Sequence, residues 1–400
     1  MNKKLNTFTL SGLIVGPVLG SGIILLPPLL YNSIQNYSLI VWLVICVFGF
    51  AFALVFGKLA VLFPGDGGVS LATKEALGKK YQLLTSFYLI LAVFFGPVAV
   101  LLIGALFLEE YFINTNPALI AFGIYIFTYL LLLIRIDFLG KLMLVVTSLI
   151  TLIFLFSSIY ILFQVNEFVF TLPMFDLNEI GYSFLLVFWA IVGWEVIGNY
   201  SSDVKNTKTI TRAVVFSAIM VSLVYILVAS AICFGEFENK NSEAFKLVWL
   251  IEPIFKSYSN ILLTIISLIL CIGTLILFVG GVARLISSLN FTKYSSKHLS
   301  SGSPIGALNF LAFIHIITLT FVYFEVFDIS NLVAFADGFF IANAIIGLVT
   351  AIILFENGFL KYSAYFLVVL FSTILLFSNL LILAIISILF LYTYFKKDTL

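Results

Sequence analysis

The stretch GPVLGSGIILLPP, Gly16 to Pro28, places three glycines and three prolines inside a long apolar run. Glycine and proline are the residues that interrupt a helix. In hydrocarbon each backbone group freed by an interruption costs several kcal/mol unless something satisfies it. A break here therefore implies that protein, water or a ligand meets the freed groups. The run reads as helix to about Val18, then LGSG, then helix again from about Ile23, with each half about half a membrane thick at 1.5 Å per residue. Pro27 and Pro28 are expected near the start of the second half, where a missing N–H is tolerated.

The surrounding composition makes this a membrane setting. Of 400 residues 62% are hydrophobic and 10% charged, whereas a soluble domain is nearer half apolar and a quarter charged. The chain reads as a polytopic, all-α integral membrane protein. A net charge of +1 with no long basic run gives no footprint for nucleic acid. Cys46, Cys233 and Cys271 are isolated in apolar segments and read as small core residues. The basic start MNKKLNTFTL is read as leading into the first span rather than into a cleaved signal, because Pro17, Pro27 and Pro28 interrupt the apolar run and no small-x-small site ends it.

A span needs about 20 apolar residues, and charges with Gly/Pro/Asn clusters cut the chain into about twelve. They lie at roughly 8–33, 37–62, 81–113, 117–134, 139–163, 179–201, 208–235, 258–290, 304–323, 329–355, 359–376 and 379–395. The last two are split only by Phe377 to Asn379, so eleven and twelve both fit. The loop PGDGGVSLATKEALGKKY is expected to hold one short amphipathic helix. With the N-terminus inside, 17 of the 20 Lys and Arg fall on the inner side, from Lys3 and Lys4 to Lys396 and Lys397. Only Lys240, Lys246 and Lys256 fall outside, where Glu109, Glu110, Glu167, Asp176, Glu236 and Glu238 collect. That bias places both termini in the cytoplasm. Small residues four apart (Gly12, Gly16, Gly20; Gly49, Ala53, Gly57; Ala334, Gly338, Ala342) read as helix-packing seams.

Span six holds a second interruption, FWAIVGWEVIGNYSSD, where Gly193 and Gly198 bracket Glu195. A carboxylate near mid-bilayer costs at least about 2.5–3.5 kcal/mol on insertion scales, so it must face a cavity, a partner or a proton. Breaks in spans one and six imply a 5+5 inverted repeat with a site between them. The expected units are 1–165, with helix 1 broken near 19–22, and 166–356, with helix 6 broken near 193–195; residues 357–400 supply two peripheral helices. A half-helix N-terminus offers N–H groups and about half a positive charge to a carboxylate, and freed carbonyls suit an ammonium. An α-amino acid carries both.

These residues resemble the amino acid–polyamine–organocation permeases. GSGI at Gly20 to Ile23 is similar to that family's first break. FWAIVGWE, with Phe188, Gly193 and Glu195, is similar to its second, and FPGDGGVSLATKEALG to the loop after its second span. Short tails, FWAIVGWEVIGNYSSDVKNTKTITRA and FVGGVARLISSLN are most similar to the branch that exports methionine and branched-chain amino acids. The resemblance implies the LeuT/APC-type fold. It implies that the N–H groups of Ser21, Gly22 and Ile23 bind a substrate carboxylate, and that the carbonyls of Val18, Trp189 and Val192 bind its ammonium. Trp189 would also gate the ligand, and Glu195 would couple the site to protons. Two features differ from the pattern. The middle of span five has no Lys, and Asp337 stands where the exporter branch is expected to carry a neutral amide; Asp337 is taken with Glu195 as a candidate proton-coupling residue.

Other polar residues receive plainer readings. Thr147, Ser148 and Thr151 are expected to bond their own backbone. His298 lies in an inner loop and His315 is expected to be satisfied packing. Arg284 is expected to anchor the membrane boundary, with an ion pair to Asp203 as the alternative. Neither H-E-x-x-H nor an Asp cluster occurs, so a membrane-embedded enzyme is not expected, and no cofactor or metal is expected. The reading is a secondary transporter of neutral, hydrophobic amino acids, with proton-coupled export following from the resemblance. An importer or exchanger of the same fold, taking cationic amino acids or polyamines, and an amino-acid sensor remain the alternatives.

Overall fold

The structure is a computed structural model and describes residues 5–109, 111–237 and 247–395. Lys3, Lys4, Glu110, Glu238, Lys240, Lys246, Lys396 and Lys397, which enter the charge balance, lie outside the described residues. The regular secondary structure of the described chain is helical, apart from one isolated parallel bridge between Leu5 and Val204.

Helices fill every apolar stretch marked out in the sequence. They are α1 (Thr7–Leu19), α2 (Gly22–Ile34), α3 (Tyr37–Leu62), α4 (Val69–Leu77), α5 (Lys79–Leu106), α6 (Pro117–Leu132), α7 (Ile136–Gln164) and α8 (Leu177–Phe188). There follow α9 (Thr207–Phe234), α10 (Val248–Phe255), α11 (Ser259–Ser288), α12 (Ile305–Tyr323), α13 (Ile329–Leu354), α14 (Phe359–Leu375) and α15 (Leu380–Phe395). Eight stretches are long and apolar enough to cross a membrane: α1 with α2, α3, α5, α7, α9, α10 with α11, α12 and α13. The helices α6, α8, α14 and α15 are apolar but shorter. The chain is thus an all-helical, multi-pass membrane protein.

Polar residues at the helix starts explain the boundaries. Asn6 accepts from the N–H of Thr9, and Thr9 Oγ1 accepts from the N–H of Asn6, closing a capping box ahead of α1. Asn116, Asp176, Asn206 and Asp328 likewise cap α6, α8, α9 and α13. The loop helix expected between the second and third spans is α4. The final apolar stretch is two helices, α14 and α15, separated by a turn at 376–379. The short helix α10 is an addition to the expected elements; Lys256, at φ 50°, turns the chain from it toward α11.

Two local expectations change. Pro27 and Pro28 lie inside α2, beyond its first turn. Each removes an i→i−4 bond, so the carbonyls of Ile23 and Ile24 lack their intrahelical donors. The second interruption is also longer than Gly193–Glu195. After α8 the chain passes through a 3-10 turn (Trp189–Ile191), a turn closed by Val196 N donating to Gly193 O, and a second 3-10 stretch (Ile197–Asp203).

The interrupted elements sit at the centre. Helix α1 packs on α7, α9 and α11, while α3 pairs with α9 and α13 with α5. The α1–α7 seam is close because Gly12 lies on α7: a Cβ there would come within 2.4 Å of Leu144 Cα.

Candidate functional site

Between α1 and α2 the break is only two residues long, Gly20 and Ser21. Gly20 has φ 44°, a left-handed backbone that an L side chain resists, and a Cβ there would meet Pro17 O and Thr274 Oγ1, each at 2.6 Å. The chain therefore leaves α1 sharply and re-enters a helix at once. The orphaned carbonyls at the end of α1 find partners. Gly16 O accepts from Gly20 N at 2.6 Å, and Pro17 O lies 3.2 Å from the Thr274 hydroxyl, whose shorter contact is to Leu270 O of its own helix at 2.9 Å. Leu19 O accepts from the Tyr225 hydroxyl at 3.0 Å, and Val18 O lies 3.4 Å from the same oxygen.

The opposing end behaves differently. Ser21 stands before α2 without capping it by its side chain. The first N–H groups of α2 have no intrahelical acceptor. Ser21 Oγ instead accepts from the Trp189 indole N–H at 3.2 Å, which leaves the hydroxyl proton available to an anion.

The second break lies against the first. A Cβ on Gly193, whose φ is 123°, would sit 3.3 Å from Val18 Cγ2 and 3.4 Å from Phe278. Glu195 folds back within this turn, and its Oε2 accepts from Gly193 N at 3.0 Å. Its other oxygen is buried and has no hydrogen-bond partner among the described residues. Beyond it the chain is tied down. The Tyr200 hydroxyl shares its proton between the carbonyls of Ile276 and Leu277, at 2.8 and 2.9 Å, and Asn199 Nδ2 donates to Gly281 O at 3.0 Å. Gly65 N donates to Ser201 Oγ at 2.7 Å, and Ser202 donates to Asp66. Arg284 pairs with Asp203 at 3.2 Å and lies over the Tyr200 ring at 4.7 Å. The ion pair expected as the alternative for Arg284 is thus formed, because the second 3-10 stretch carries Asp203 to the side chain.

A narrow cavity joins the two breaks. Its walls are Pro17 to Gly22, Gly96, Pro97 and Val100 of α5, Trp189 and Val192, Thr274, Leu275 and Phe278 of α11, and Phe340 of α13. About 20 Å³ is open to the centre of a water molecule, so a larger ligand requires the walls to separate. No lining residue carries a charge.

This geometry can be set beside known sequences. The profile of the family described as "Amino acid permease" matches residues 5–397. The chain belongs to the amino acid permease family. It is a transporter-family protein and not an enzyme. The permease is 23% identical over 340 residues to the L-methionine/branched-chain amino acid exporter YjeH of Escherichia coli (strain K12), covering 82% of this chain and 81% of that one. Its fold is similar to that of a manganese transporter from Eremococcus coleocola. Crystal structures of three point mutants of that protein each give a TM-score of 0.65 at 12% identity, over 97% of this chain and 92% of that one.

Of the residues singled out in the permease sequence, Val18, Gly20, Ser21, Gly22, Trp189 and Val192 line the cavity. Ile23 is buried just behind the wall, and Gly193 packs against it through Val18. Glu195 and Asp337 are both buried outside the lining, and Asp337 Oδ1 has no partner among the described residues. His315 is satisfied as expected, by Tyr125 Oη at 3.0 Å and Val93 O at 2.7 Å. Thr147 and Ser148 bond their own backbone; Thr151 does not, and its hydroxyl is buried without a partner among the described residues. Sequence reading missed Tyr225, Thr274, Phe278 and Phe340. It also passed over Gly96 and Pro97, a helix-breaking pair inside α5 of the kind that marks the two breaks.

Proposed function

We propose that the protein is a secondary active transporter of neutral, hydrophobic L-amino acids that works by alternating access and exports them in exchange for protons. The carrying observation is the cavity between the breaks: it combines the start of α2, whose first N–H groups have no intrahelical acceptor, with walls that hold no charged side chain. A carboxylate fits the start of α2, where Ser21, Gly22 and Ile23 present their N–H groups and the helix dipole adds about half a positive charge. An ammonium fits the carbonyls of Val18, Trp189 and Val192. Proline, valine, leucine and phenylalanine walls then select an apolar side chain. A cationic amino acid would need a facing acid, and neither Glu195 nor Asp337 faces the cavity.

Trp189 covers the ligand and is held by Ser21. Glu195 takes up and releases the coupling proton, since its backbone bond to Gly193 makes the break sensitive to its charge. Asp337, buried with an unpaired oxygen, is the second candidate for that role. The twelve helical stretches form two five-span repeats of opposite orientation, 1–165 and 166–356, with 357–400 peripheral. Lys and Arg bias supports cytoplasmic termini in the plasma membrane. Export and branched-chain substrates rest on the likeness to the E. coli exporter.

A panel of radiolabelled amino acids in proteoliposomes of known orientation tests this. Leucine, methionine and valine should move, driven by an opposing proton gradient. Movement of lysine or putrescine without leucine or methionine would contradict the substrate class.

A further inference from the structure

Tyr225 is a buried polar side chain for which transport, as derived so far, has no role. It sits on α9, its ring stacked on Trp42 at 4.5 Å and 14°. Both rings are essentially sealed from solvent, at 1% and 0% exposure. The stack fixes where the hydroxyl points, because two packed aromatic rings leave the phenol no other rotamer without opening a void. That hydroxyl reaches the end of α1. It donates to Leu19 O at 3.0 Å and reaches Val18 O only at 3.4 Å. A phenol has one proton, so it satisfies one carbonyl well and the other poorly. The hydroxyl also touches the far side of the break: a Cβ on Gly22 would lie 2.8 Å from it, with every other neighbour at 3.6 Å or beyond.

We propose that Tyr225 is a positioning residue that sets specificity for zwitterions: it ties up the Leu19 carbonyl and leaves Val18 as the α1 carbonyl offered to a ligand's ammonium. The inference rests on the amino-acid site proposed above. Its physical basis is a balance of charge. Two unengaged carbonyls at a helix C-terminus, beside those of the second break, would make a site for a bare cation. With one neutralised by a phenol, the carbonyls hold an ammonium firmly only when the carboxylate is also held at the start of α2. Tyr225 thereby discriminates against amines that lack a carboxylate. It also explains why position 22 must be glycine, since the phenol oxygen occupies the space a side chain would need.

The test compares leucine with isopentylamine, its decarboxylated analogue, by direct binding to the purified protein. Tyr225→Phe keeps the ring and its stack but removes the proton. The leucine-to-amine affinity ratio should fall about tenfold, the scale of one hydrogen bond, because the freed Leu19 carbonyl tightens the amine while leucine, already held by its carboxylate, changes little. If both ligands weaken equally, Tyr225 merely supports the fold and the inference is overturned. A double-mutant cycle gives an independent reading. Gly22→Ala should cost leucine affinity less in the Tyr225→Phe background than alone, because the oxygen that the Cβ meets is gone. Equal costs in both backgrounds would also overturn it. Should the unmodified protein bind no amino acid, the site assignment falls, and this inference falls with it. Should it bind leucine normally while the ratio stays put, only the role of Tyr225 falls.

Discussion

The two interruptions solve one problem in opposite ways. The first is two residues long, between full α-helices on either side. Its carbonyl end is capped by Tyr225, with Thr274 shared between Pro17 O and its own helix, and its amide end is not capped by a side chain. The second abandons α-helix from Trp189 to Asp203 and knits its groups into the protein through Glu195, Asn199, Tyr200 and Ser201. A short break that opens on a helix start with no side-chain cap is suited to holding an anion. A long break laced to α11 and to the loop at Gly65 is suited to carrying movement to the rest of the molecule. On the proposed reading the difference points to a division of work: the first break holds the carboxylate, while the second lends carbonyls to the ammonium and carries binding to a conformational change.

The strongest way to break this comparison is at the first interruption. Ser21→Val combined with Gly22→Val should abolish amino-acid binding in an equilibrium assay, and retained affinity would remove the carboxylate site. Next comes Gly193→Ala. Its φ of 123° strains any side chain, yet the nearest atoms lie at 3.3 Å and beyond, so transport should fall about tenfold while leucine still binds. Equal loss of binding and transport would mean that both breaks bind alike. Glu195→Gln keeps an acceptor for the Gly193 N–H but cannot exchange a proton. Uptake measured across pH should become flat, and an unchanged profile would count against proton linkage through this residue. The smallest effect belongs to Tyr200→Phe, which loses a buried donor to α11. It should cost about 1 kcal/mol of stability and slow transport with little change in leucine affinity.

Much of this is legible in the residues, for a local reason. Glycine and proline act on their own backbone, so the break at Gly20, the turn at Gly193 and the loop helix before Gly78 follow from sequence. The partners of the freed groups do not follow. Tyr225, Thr274 and Phe340 lie far along the chain from Gly20, and nothing in their neighbours marks them as caps or walls. The same holds for Arg284, whose pairing with Asp203 depends on how far the second interruption unwinds. Pro27 and Pro28 fall inside α2 rather than at its start, since even a helix resuming at Ile23 puts Pro27 fifth, past the N–H groups that have no intrahelical acceptor.

The most direct test of the central claim is an experimental structure with selenomethionine, or leucine, bound to the unmodified protein. The ligand's carboxylate should lie within hydrogen-bonding distance of the amide nitrogens at the start of α2, with its ammonium toward Val18 and Val192 and its side chain between Val100, Phe278 and Phe340. A ligand seated elsewhere, such as the larger cavity lined by Leu25, Leu29, Ile103 and Asn260, with the first break empty, would contradict it.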